Sequence, residues 1–108
     1  MIKYKICVLL NILIILHIAL AQNVVFKFPE YDYLPSVANE KAYKDCQTAC
    51  ENSPRCDEYQ GVAKTNCIRE CISPPCYREI YEFDELEEGE VDVRLNSFKG
   101  CFVIKTKH

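Results

Sequence analysis

The sequence predicts a small disulfide-rich, mainly α fold: an antiparallel helical hairpin stapled by two disulfides, a short third helix and a short C-terminal β-hairpin. Three observations lead there. Eight cysteines in 108 residues is far above ordinary globular usage. Cys46 and Cys50 are four apart, as are Cys67 and Cys71, which on a helix puts each pair on one face about one turn apart. An apolar leader directs the chain to an oxidising compartment, where thiols pair.

The leader is read from its charge and its end. Lys3 and Lys5 precede an almost unbroken apolar run from Ile6 to Ala21, which closes on Ala19-Leu20-Ala21, small residues where a signal peptidase cuts. Residues 1–21 are therefore expected to be a signal peptide, cleaved before Gln22, and the product to be secreted and extracellular. The run is short of the roughly 20 residues a membrane span needs, and Asn11 and His17 interrupt it, so no span is expected after cleavage. Cleavage removes Cys7 and leaves an odd number of cysteines. It also removes Lys3 and Lys5, which makes a chain of formal charge −3 more acidic still. That sign argues against nucleic acid and against anionic membrane as partners.

Residues 22–35, QNVVFKFPEYDYLP, alternate apolar and polar positions and then break at Pro29 and Pro35, an extended aromatic arm whose Phe26, Phe28, Tyr31 and Tyr33 are expected to pack on the domain of residues 36–108. From Ser36 to about Asn52 helix-forming residues run without Gly or Pro, and Ser53-Pro54 ends them. A loop is expected to Gly61, then a second helix from a Thr65 cap to Ile72. Ser73-Pro74 is a cap with proline at the first helical position, which predicts a third short helix bearing Tyr77, Ile80 and Tyr81. Seven acids between Glu82 and Asp92 predict a solvated loop. Val91, Val93 and Leu95 then alternate with polar residues, and CFVIKT follows Gly100, which reads as two strands and a turn.

If the two cysteine-bearing helices fold back over the residues between them, outer pairs with outer and inner with inner: Cys46–Cys71 and Cys50–Cys67. Cys76 is expected to pair with Cys101 across the acidic loop. Cys56, flanked by Arg55 and Asp57, is left over as a free or capped thiol, or as the link of a disulfide-bonded homodimer. Zinc is disfavoured because structural sites space their cysteines more closely and the leader implies oxidation. No metal or cofactor is expected.

Chemistry is sparse. The two histidines are His17, in the leader, and His108, at the end, so the domain has no interior imidazole to serve as general base. The carboxylates of 82–92 lack both the apolar walls that raise one pKa and the alternating order of a calcium loop. An enzyme is not expected. The sequence has no Asn-x-Ser/Thr acceptor and no adjacent basic pair.

The stretches NCIRECISPPCY at 66–77, LEEGEVDVR at 86–94 and SFKGC at 97–101 resemble a family of small animal secreted cysteine-rich proteins of unassigned function; Cys56 falls outside the matched pattern. The resemblance implies secretion and a disulfide framework and brings no site. The paired Cys-x₃-Cys spacing is also similar to that of the small Tim chaperones of the mitochondrial intermembrane space, which implies an α-hairpin that shields apolar clients. The expected function is that of a small secreted, non-enzymatic binding or signalling factor with an unidentified protein partner, the alternative being an intermembrane-space chaperone.

Overall fold

The computed structural model describes residues 27–106. The expected signal peptide, residues 1–21, and the first residues of the arm, Phe26 included, lie outside the described residues. Four helices follow one another, α1 (Val37–Glu51), α2 (Gly61–Ile72), α3 (Pro74–Ile80) and α4 (Leu95–Thr106), with a 3-10 turn at Pro54–Cys56 between the first two. There is no strand among the described residues.

Local chemistry sets most of the boundaries. Ser36 caps α1, its hydroxyl accepting from the Asn39 amide at 3.1 Å, and Glu40 lies in the first turn where the helix dipole favours an acid. Ser73 both ends α2 and caps α3, accepting from Cys76 N at 3.4 Å, with Pro74 and Pro75 in the first turn where a missing N–H costs nothing. The second helix begins earlier than its Thr65 signal, at Gly61, whose φ of 61° is one that a side chain would resist.

The C-terminal β-hairpin does not form; α4 takes its place. Val91 and Val93, two of the three apolar positions whose alternation suggested a strand, are exposed on a loop at 77% and 63%. From Arg94 onward the buried positions are Arg94, Ser97, Phe98, Gly100, Cys101 and Phe102, and the large side chains among them, Arg94, Phe98 and Phe102, recur every four residues as on one face of a helix. The helix completes the core: Phe98 and Phe102 meet Tyr43 of α1 edge-on at centroid distances of 6.3 and 5.6 Å, and Phe98 meets Tyr81 at 5.5 Å.

The register of α1 on α2 is offset from the expected one. Cys46 lies beside Ile72, Cys50 is bonded to Cys71 and Cys56 to Cys67, so the numbers fall along α2 as they rise along α1 and the 3-10 turn, but Cys46 faces the last residue of α2 and not Cys71.

Residues 27–35 have no regular structure and run across α4. Tyr31 N donates to Ser97 Oγ at 3.1 Å, and the Tyr31 hydroxyl donates to Glu79 at 3.0 Å. Gly100, read from the sequence as a turn residue, is instead the helical position under this crossing: a Cβ there would stand 2.5 Å from the Asp32 carbonyl oxygen. In an open helix Gly→Ala would stabilise by about 1 kcal/mol. Here overpacking against backbone wins, and Gly100→Ala is expected to destabilise by about 1–2 kcal/mol and to loosen the arm, seen as faster proteolysis between residues 27 and 35. Unchanged cleavage would contradict the crossing.

Candidate functional site

Six of the described cysteines form three bridges, Cys50–Cys71, Cys56–Cys67 and Cys76–Cys101, and Cys46 keeps its thiol. The Cys76–Cys101 bond is the pair read from the sequence. The other two correct it: neither Cys46–Cys71 nor Cys50–Cys67 exists, and a single bridge, not two, joins α1 to α2. Cys56, expected to be the exposed spare, is fully buried. Its place in the 3-10 turn turns it inward while Arg55 and Asp57 stay exposed. Bonded within the chain, Cys56 cannot link a homodimer. The signal available in the sequence was Ser53-Pro54, a cap followed by proline, which starts a tight helical turn as readily as it ends α1.

Once Cys56 takes Cys67, Cys71 is left to Cys50. Cys46 is then without a sulfur partner, half-buried, its Sγ 3.8 Å from the Ile72 carbonyl oxygen.

The acidic loop is tied to this frame by two buried guanidinium groups. Arg69 Nη2 pairs with Asp92 at 3.0 Å and its Nη1 donates to the Tyr43 hydroxyl at 3.1 Å; Asp92 also accepts from the Tyr81 hydroxyl at 2.9 Å. Arg94 is fully buried. It lies 4.7 Å from the Tyr81 ring centroid and donates to the Ile80 carbonyl at 2.8 Å, one of the carbonyls that the end of α3 leaves unused. Neither arginine was singled out in the sequence, where each reads as an ordinary surface charge.

Burial pushes the phenols of Tyr77 and Tyr81 well above their ordinary range, with hydrogen-bonded Glu85 and the charge of Asp92, respectively, adding to it. Such a phenol keeps its proton in the fold at a pH where the unfolded chain has lost it. The stabilisation is complete below about pH 10 and declines as pH rises beyond it. The urea midpoint of the thiol-blocked protein is therefore expected to fall between about pH 9 and about pH 11; a flat profile would contradict the burial.

Beside this network lies a groove of about 600 Å³ between α2, the residues just before it, Tyr77 of α3 and the start of the acidic loop. Its floor includes Val62, Ala63 and the buried Leu86. Glu58, Glu70 and Glu85 stand around it with one cation, Arg55, which pairs with Glu70 at 3.6 Å. No cluster of three or more His, Cys, Asp or Glu side chains among the described residues is arranged to hold a metal ion, and no helix there is long and apolar enough to cross a membrane.

Residues 40–101 match a family model described as "Domain of unknown function (DUF4787)". The chain belongs to this family. The DUF4787 match spans all six bonded cysteines together with Cys46, Cys56 included, so the family segment and the disulfide frame coincide. No curated protein and no solved structure matches the chain.

Proposed function

We propose that this DUF4787 protein is a small secreted, non-enzymatic factor that acts by binding another protein outside the cell. The observation that supports it is the agreement between a leader of signal-peptide character and a domain whose interior is built around sulfur. Half-cystines Cys50, Cys56, Cys76 and Cys101 belong to the core, beside few aliphatic side chains. Such a core suits a compartment where disulfides persist, and small domains of this kind lean on them because burial alone stabilises too little. The lack of an interior histidine supports a binding role over a catalytic one.

Expression of the full chain with a C-terminal tag in an animal cell line tests it. The expected result is processed protein in the medium, its mass matching a start at Gln22. Retention in the cytosol, or import into mitochondria as the small Tim spacing would have it, would overturn the reading.

A further inference from the structure

Resting on the extracellular reading, we propose that Tyr31 and Tyr33 of the arm are sites of sulfation, each taking a sulfuryl group from a nucleotide phosphosulfate through a transferase of the secretory lumen. The phenol oxygen attacks sulfur and forms the ester bond; the bond from sulfur to the donor's phosphate breaks, and that phosphate leaves with the electron pair. The phenol's proton passes to a base on the transferase. Nothing is oxidised or reduced, and the product is an aryl sulfate with a fixed negative charge.

Two independent observations single out these two among the seven tyrosines of the chain. The first is their neighbours. In Pro29-Glu30-Tyr31-Asp32-Tyr33 each phenol directly follows an acid, and Tyr31 has one on both sides. A transferase that holds a polyanionic donor needs cations in its cleft, and such a cleft attracts a segment with carboxylates beside the acceptor. The second is conformation, because the acceptor segment has to be drawn out into that cleft. Residues 27–35 have no regular structure, Glu30, Asp32 and Leu34 are exposed, and no bridge restrains the segment. Little seats the two side chains: the Tyr31 hydroxyl donates to Glu79 at 3.0 Å and the Tyr33 hydroxyl to Glu40, both at the surface, beside the backbone bond from Tyr31 to Ser97. A segment held this way opens locally while the core stays folded. The other tyrosines fail one condition or the other. Tyr43, Tyr77 and Tyr81 are buried. Tyr59 is exposed and follows Asp57 and Glu58, but it is closed into a tight loop between Cys56, bonded to Cys67, and the start of α2 at Gly61. Tyr4 lies in the expected leader.

The test is expression of the full chain in an animal cell line supplied with radioactive inorganic sulfate. Protein is recovered from the medium and digested with trypsin, and the fragments are hydrolysed in alkali, which leaves tyrosine sulfate intact. Label is expected as tyrosine sulfate in the fragment of residues 28–41. Tyr31→Phe/Tyr33→Phe, which keeps both rings, is expected to abolish it. Glu30→Gln/Asp32→Asn, which keeps both phenols, is expected to lower it about fivefold or more by removing the charges the transferase reads, whereas Tyr59→Phe leaves it unchanged. Unlabelled protein in the medium, label that survives loss of both phenols, or full labelling of the Glu30→Gln/Asp32→Asn variant would each overturn the inference and leave the extracellular role standing. Protein retained in the cell would overturn that role and the inference with it.

Discussion

Replacing Cys76 and Cys101 together with alanine is expected to lower the unfolding free energy by about 3.5 kcal/mol, the loop-entropy value for a bridge whose ends are 25 residues apart. Both half-cystines are fully buried, so the smaller alanines add a packing loss in the same direction. Domains of this size have only about 5–15 kcal/mol to lose at most, and this bridge alone ties α4 covalently to α3. Denaturant unfolding followed by far-ultraviolet circular dichroism measures it. Cys46→Ser is the matched control: a half-buried thiol outside any bridge is expected to change stability by no more than about 0.5 kcal/mol. If Cys46→Ser proved as damaging as the loss of a bridge, the assigned pairing would be wrong.

Asp92→Ala carries the second large effect, about 3 kcal/mol of destabilisation, because it strands a nearly buried cation. The Arg69 and Asp92 side chains are only 11% and 19% exposed, so solvent screens the pair poorly. Without the carboxylate, Arg69 retains the Tyr43 hydroxyl and the face of Phe98, 5.9 Å away, while Tyr81 loses its acceptor. Removing both charges, as Arg69→Met/Asp92→Ala, is expected to recover part of the loss, since an apolar side chain in that place is not penalised for lacking a partner. Additive losses in the double variant, measured by the same unfolding experiment, would mean the two residues do not act as a pair.

The helices were legible where a cap or a proline announces them. Ser36 and Ser73 each supply a hydroxyl to an amide three residues on, a local interaction that needs no tertiary information. What lay beyond reach depended on distant contacts. The alternation at 91–95 is a true pattern that ends on an exposed loop, because Phe98 and Phe102 find Tyr43 only through the tertiary fold. Gly100 looked like a turn for want of knowing that the chain near Asp32 crosses it. The cysteine pairing failed for a similar reason: spacing places two thiols on one helical face but does not say which neighbour faces them, and a three-residue turn at Pro54 was enough to hand Cys67 to Cys56. The groove was invisible in the same way, its acids lying in three separate stretches of sequence.

Mass mapping of the native protein bears most directly on the account. Alkylation without reduction, followed by proteolysis, is predicted to label Cys46 among the cysteines of residues 40–101 and to yield the linked pairs Cys50–Cys71, Cys56–Cys67 and Cys76–Cys101. Label on Cys56, or a Cys46–Cys71 linked peptide from native material, would contradict it.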